Sequence, residues 1–302
     1  MSRRLALCAL LLLVAVGACS TGSSTAGSTS GRISVVAAED FWGSIAAQLG
    51  GDRVDLKSLI TNPDTDPHDY EPTPADARAI ATAGYVISNG LGYDAWIDKL
   101  LAANPANGRT TLNIGDRLGL KVGDNPHRWY SPGDVQTVID QITADYKQLR
   151  PADAAYFDQQ RAIFETTALG PYKAVIAEIK ARFTGTPIGA SESIVTPLAA
   201  ALGLRVVTPE TFLDAISEGS DPSAADKALV DQQLATKAIK VLVFNAQNAT
   251  PDVQRLVDLA RANGIAVTTV TETLTPQGAT FQDWQTRQLQ ELEAALSTAT
   301  GT

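Results

Sequence analysis

From Pro132 to about Phe183 the chain carries helical periodicity and no strand signal, while on both sides short apolar runs alternate with helix-length amphipathic segments. This interruption constrains the fold more than any other feature. Strand–helix alternation builds parallel sheets through β-α-β crossovers, so a strandless span of about fifty residues separates two such sheets instead of extending one. Before the span, Ile33–Ala38, Val54–Ile60, Tyr85–Ser88 and Thr111–Ile114 read as strands, with helices over Asp40–Leu49, over Thr73–Ala83 and in NGLGYDAWIDKL. Pro74 is compatible with a first helical turn. After the span, strands are expected near Pro187–Gly189 and over Leu204–Val207, Lys240–Phe244 and Ala266–Val270. Helices are expected after Ser193 and over Ser223–Thr236, Pro251–Asn263 and Thr280–Leu296. Inside the span, Pro151 begins a second helical piece and Gly170-Pro171 should kink it. The expected fold is α/β: two β/α lobes, residues 32–133 and 185–302, joined by a long rigid helical connector over 134–184. Ligands of such folds bind beyond the carboxyl ends of the strands, here in a crevice between the lobes.

The first thirty residues stand outside that fold. Met1–Arg4 carry two positive charges, Leu5–Val16 are nearly all apolar, and Gly17-Ala18 precede Cys19. This reads as a secretory leader over 1–18. VGAC resembles a bacterial lipobox, which makes Cys19 the expected lipidation site. Ser20–Gly31 are almost entirely Ser, Thr, Gly and Ala, a composition that cannot bury apolar surface, so 19–31 read as a lipidated flexible tether. Cys8 and Cys19 are the only cysteines, so the body can build neither a disulfide framework nor a thiolate metal site. The net charge of −9 becomes more acidic when Arg3 and Arg4 leave with the leader. That balance argues against a nucleic-acid partner and fits an attraction for cations.

The chain has two histidines, His68 in TDPHDYEPTP and His127 in DNPHRWYSP. Both follow a proline, and both lie in loops leaving strands of the first lobe. Imidazole is the commonest metal ligand, and neighbouring prolines reduce the entropy lost in holding it. Their separation makes no local motif, so a shared cation site and two structural loop imidazoles both stay open. HExxH, GxSxG and P-loop patterns are absent from the sequence.

Taken together, DPHDYEPTPAD, NGLGYDAWIDKL, NPHRWYSP, ASESIVTPLAAALGL, ISEGSDPSAADKALV, IAVTTVTETLT and TFQDWQTRQLQELEAAL resemble, in this order, the solute-binding lipoproteins of zinc- and manganese-uptake ABC transporters. The resemblance covers nearly all of the chain after the tether. It implies four metal positions, two per lobe: His68 and His127 in the first, Glu192 in GASES and Glu272 in TET in the second. Most members carry aspartate where Glu272 stands. It also implies an extracytoplasmic, membrane-anchored monomer that captures one divalent ion, manganese ahead of zinc, and delivers it to the membrane subunits of an ABC permease.

The chemistry of that set is coherent. Two imidazoles and two carboxylates balance a divalent charge, and two carboxylates facing each other in a desolvated cleft repel until a cation joins them. The plainer alternatives are a first-turn helix acid for Glu192 and a solvated loop acid for Glu272. Oxygen-rich donors suit manganese, although the usual divalent order favours zinc. At VFNAQNATP, where many relatives carry a glutamate, Asn245 and Gln247 either orient a ligand from behind it, the role assigned to them here, or pair backbone groups of the loop. Trp129 and Tyr130 either line the cleft or form a core pair. The competing function is a metal-dependent hydrolase using the same residues, which would need an open coordination position and an adjacent acid or base.

Overall fold

The computed structural model describes residues 31–63, 65, 67 and 70–302. The leader, Cys19 with most of its tether, and His68 lie outside the described residues.

The first sheet contains β1 (Ile33–Glu39), β2 (Val54–Ile60), β3 (Tyr85–Ser88) and β4 (Thr110–Asn113), all parallel and ordered β2-β1-β3-β4. The period of two decides what each face buries. Val35 and Ala37 of β1, with Tyr85 and Ile87 of β3, face the main core. Val36, Ala38 and Val86 point the other way, against Ile80, Trp96 and Ile97. The helices of this lobe are α1 (Asp40–Gly50), α2 (Pro74–Thr82), α3 (Ala95–Ala103) and the short α4 (Ile114–Arg117). Thr73 caps α2 through a reciprocal capping box with Asp76, and Pro74 sits in its first turn.

The helical span breaks into three. α5 (Pro132–Leu149) ends before a 3₁₀ turn at Pro151–Asp153, α6 (Ala154–Ile163) follows, and α7 (Gly170–Phe183) completes it. The breaks fall at the positions the sequence marked, Pro151 and Gly170-Pro171, and the cause is covalent. Pro171 has no N–H to continue the ladder. The chain widens over Phe164–Ala168 into a π-turn closed by Leu169 N–H donating to Phe164 O at 2.8 Å. α5 packs on α1, whereas α7 packs on α8 and α12 of the second half.

The second sheet repeats the order of the first: β5 (Pro187–Ala190), β6 (Arg205–Val206), β7 (Val241–Asn245) and β8 (Ala266–Val270) run parallel as β6-β5-β7-β8. Its helices are α8 (Thr196–Leu202), α9 (Glu210–Ser217), α10 (Ala224–Ala235), α11 (Pro251–Ala262) and α12 (Phe281–Thr300). The sequence reading assigned no element to the α9 segment. Phe212, Leu213 and Ile216 form its buried face, a stripe barely two turns long and too short to register as periodicity.

One apolar core runs through both halves. It holds Phe41 and Ile45 of α1, Tyr146 of α5, Phe157 of α6, Phe183 of α7 and Trp284 of α12. Polar contacts reinforce the α1–α12 junction: the Gln48 and Gln282 amides exchange bonds at 3.1 and 2.8 Å, and Phe281 N–H donates to Ser44 Oγ at 2.9 Å. In both sheets the chain leaves its first strand toward one side and returns on the other, so each sheet has a switch point at its carboxyl edge, where α/β folds bind ligands.

Candidate metal centre

Three second-lobe strands end at the same place. β5 runs through buried Ile188, Gly189 and Ala190, and Glu192 emerges two residues later, 1% exposed. β7 ends on Asn245, fully buried, whose N–H donates to Ser191 Oγ at 3.1 Å. Glu272 follows β8 by two residues.

A single amide joins these strand ends. Asn245 Nδ2 donates to Glu192 Oε1 at 2.8 Å and to Glu272 Oε1 at 2.7 Å. Asn248 Nδ2 donates to Glu192 Oε2 at 2.6 Å, and the Tyr93 hydroxyl of the first lobe donates to Glu272 Oε2 at 2.9 Å. All four oxygens therefore accept from neutral donors, the pattern that suits ionised carboxylates. Gln247 acts on the backbone: its Oε1 accepts from the N–H of Glu272 and, at 3.0 Å, of Thr273, while its Nε2 donates to Pro63 O in the first lobe.

His127 completes the cluster from the first lobe, 2% exposed. Asn125 Nδ2 donates to Ser193 O at 2.8 Å, which fixes the amide's orientation. Asn125 Oδ1 then accepts from His127 N–H and lies 2.9 Å from His127 Nδ1. With an acceptor at that distance Nδ1 carries the proton, and Nε2 carries the lone pair a metal would use. Trp129 and Tyr93 pack against the imidazole with ring centroids 5.2 and 6.2 Å away. One ligand atom each from His127, Glu192 and Glu272 can be chosen so that all lie within 4.8 Å of one another, close enough to hold one metal ion.

Of the residues expected at the site, the structure brings together His127, Glu192 and Glu272, with Asn245 and Gln247 behind them. His68 lies outside the described residues; Pro63, Thr65 and Pro67 help line a cavity of about 340 Å³ walled by Gln247, Asn248 and Glu272. Trp129 and Tyr130 are both fully buried and belong to the core. Trp129 stacks on Phe41 at 4.1 Å, and the Tyr130 hydroxyl lies 2.9 Å from Thr271 O, beside Glu272. Sequence reasoning missed Tyr93, Asn125 and Asn248, although each stands within a few residues of a motif position it singled out.

A further acidic group lies beneath the histidine loop. Asp94 accepts from Asn89 N–H at 2.7 Å and Gly90 N–H at 2.8 Å, and Asn89 Nδ2 donates to Pro126 O at 3.0 Å, one residue before His127. Gly90 has φ +74°, and a Cβ there would meet Asn113 Oδ1 at 2.2 Å, so this turn requires glycine. Burial raises the Asp94 carboxyl to about 6, against the two backbone N–H bonds that pull it down. Glu39 is entirely buried, and its carboxyl is pushed well up by desolvation first and then by the charge of Asp94. Burial likewise raises Asp40 to about 6.

The two parallel sheets with their switch points are the fold of the two-lobed periplasmic metal-binding proteins. A solved structure of this kind, the Mn-bound S38A mutant of the periplasmic metal binding protein from candidatus liberibacter asiaticus, superposes with a TM-score of 0.73 at 19% identity, covering 87% of this chain and 98% of that one. Residues 35–295 match the model of the ZnuA family, zinc-uptake complex component A periplasmic, and the chain belongs to that family. The metal ABC transporter substrate-binding lipoprotein ScbA of Streptococcus cristatus is 24% identical over 200 residues, 62% of this chain and 63% of that protein. The manganese ABC transporter substrate-binding lipoprotein PsaA of Streptococcus anginosus is 35% identical over 163 residues, 49% of this chain and 52% of that protein. The chain thus spans between about half and just under two thirds of the length of these curated relatives.

Proposed function

We propose that this protein captures one divalent transition-metal ion outside the cytoplasm and hands it to an ABC permease as cargo. The observation that carries this reading is the convergence of His127, Glu192 and Glu272, from both lobes, to within 4.8 Å. His68, implied by the family resemblance, supplies the fourth ligand. A cation is attracted to two carboxylates and an imidazole held in a largely buried cleft, and its binding lifts the repulsion between the acids. The names of the two relatives above, both metal or manganese ABC transporter substrate-binding lipoproteins, support a binding protein over the hydrolase alternative.

The finer assignment follows the same reading. Residues 1–18 are a leader removed on export, Cys19 is lipidated and anchors the protein to the membrane, 19–31 form the tether, and the body works as a monomer. Within it, 32–133 and 185–302 are the lobes and 134–184 the connector. The test is a melt of metal-stripped protein with and without manganese or zinc. Because a ligand held only by the folded state stabilises by about 2.7 kcal/mol at a hundred times its Kd, a rise of several degrees with either ion supports the proposal. Unchanged melting with both ions contradicts it.

A further inference from the structure

We propose that Asn89 is a positioning residue for His127: its side-chain amide holds the carbonyl of Pro126 and so fixes, from within the first lobe, the turn that carries the imidazole. This rests on the divalent-metal reading above and adds a residue to it.

Asn89 directly follows β3 and is fully buried. Trp42 Nε1 of α1 donates to its Oδ1 at 3.0 Å. An indole N–H only donates, so that bond settles which end of the amide is oxygen. The Nδ2 end then donates to Pro126 O at 3.0 Å, with Gly90 O as a longer second partner at 3.4 Å. The backbone of Asn89 is engaged as well: its N–H donates to Asp94 Oδ2 at 2.7 Å, and its O accepts from Gly115 N–H of α4 at 3.0 Å. With its polar groups committed to α1, α4 and the turn after β3, Asn89 is a fixed point of the first lobe.

Pro126 O takes a second bond, from Arg128 N–H at 2.7 Å. His127, between the two, has φ −75° and ψ 52°, the conformation of an inverse γ-turn. In so tight a turn the direction of the Pro126 carbonyl decides where the Cα–Cβ bond of His127 points. Asn125 also holds His127, but its Nδ2 is bonded to Ser193 O and Thr196 Oγ1 of the second lobe at 2.8 and 2.9 Å. That anchor depends on the lobes being in contact, whereas the Asn89 anchor does not. Asn89 therefore keeps the imidazole placed where the lobes part, and less ordering is left to be done when a cation arrives.

The second lobe repeats the device. Its sheet order, β6-β5-β7-β8, matches β2-β1-β3-β4, so the end of β7 corresponds to the end of β3. Asn245 stands there, also fully buried, and its Nδ2 donates to Glu192 and Glu272. In each lobe a buried asparagine at the end of the third strand holds the chain that brings in the ligands.

The chain has two histidines, so nitrogen-15 imidazole spectra of metal-free protein read His127 with His68 as an internal reference. The variants are Asn89→Ala and Asn89→Leu, the second keeping the side-chain volume in case the first fails to fold. Tyr146→Phe, which removes a buried bond to Ala46 O of 3.0 Å, controls for lost stability alone. In folded Asn89 variants the His127 signals should shift or broaden while those of His68 stay. Their manganese and zinc affinities, from competition with a chelator dye, should fall about ten- to a hundredfold. Tyr146→Phe should melt lower and change neither readout. Wild-type His127 signals and affinity in a folded Asn89 variant overturn the inference, as does an equal loss of affinity in Tyr146→Phe. If wild type binds neither ion, the metal-capture reading falls, and the imidazole spectra still decide whether Asn89 fixes His127.

Discussion

The Tyr93 hydroxyl, on the turn after β3, donates to Glu272 Oε2 across the crevice at 2.9 Å. It ties the first lobe to a carboxylate of the second independently of any ion. A hydrogen bond to a charged group is worth about 1.5–3 kcal/mol. Tyr93→Phe should therefore lower the melting temperature of metal-stripped protein by several degrees, as read by circular dichroism. Metal should recover part of that loss, because the ion also links the lobes. A variant that melts like wild type would show that the bond contributes nothing.

The acids under the histidine loop predict an unusual pH profile. A carboxyl whose folded pKa exceeds its unfolded value stabilises the fold fully below the unfolded pKa and loses that contribution as pH rises through the folded one. Asp40 and Asp94 move from 3.8 to about 6, so stability should fall between roughly pH 4 and pH 6. Glu39 extends the fall to higher pH, since its carboxyl is raised well above its ordinary value. Neither Glu39 oxygen meets a donor from another residue. Burial beside Asp94 therefore favours a proton on its own carboxyl. Glu39→Gln supplies that donor at every pH, so the variant should melt higher than wild type at pH 7.5 and show a flatter dependence. A lower melting point at pH 7.5 with an unchanged slope would contradict this.

Trp129 packs edge-on to His127 at 5.2 Å and is sealed from solvent. Ion binding at that imidazole should change tryptophan emission in a saturable titration, and Trp129→Phe should remove most of the change. Persistence of the full signal in the variant would place the ion elsewhere.

The core shared by α1, α6, α7 and α12 leaves little room for the lobes to swing apart, because wide opening would expose stacked aromatics such as Phe41 and Trp284, whose centroids are 6.5 Å apart. Burial of a large side chain is worth about 1.5–3 kcal/mol, and several would be exposed together. Small-angle scattering of stripped and loaded protein should give radii of gyration within about 1 Å, consistent with shear between packed elements. A compaction of several ångströms on loading would refute it.

Much of this fold was legible because its inner strands, such as Ile33–Glu39, Tyr85–Ser88 and Val241–Asn245, are buried on both sides and read as apolar runs. Val54–Ile60, Tyr85–Ser88 and Ala266–Val270 coincide with apolar or alternating runs, and the proline of Gly170-Pro171 marked the break in the helical span. α9 was hidden because its apolar stripe is shorter than a reliable period. His127, Glu192 and Glu272 were named through resemblance, since no spacing announces a site assembled from three strand ends. The Asn245 bridge was beyond reach in a similar way: only the parallel pairing of β5, β7 and β8 brings its amide between two carboxylates that lie 53 and 27 residues away in sequence.

The central claim, that His127, Glu192 and Glu272 hold one ion together, is tested most directly by elemental analysis after dialysing stripped protein from Arg32 onward against equal, low concentrations of manganese and zinc. Wild type should retain one equivalent of divalent metal per chain, whereas His127→Ala and Glu192→Ala, each losing a ligand from a site whose binding energy is on the order of 10 kcal/mol, should retain almost none. A wild-type chain without metal, or variants that keep a full equivalent while folded, would contradict the account.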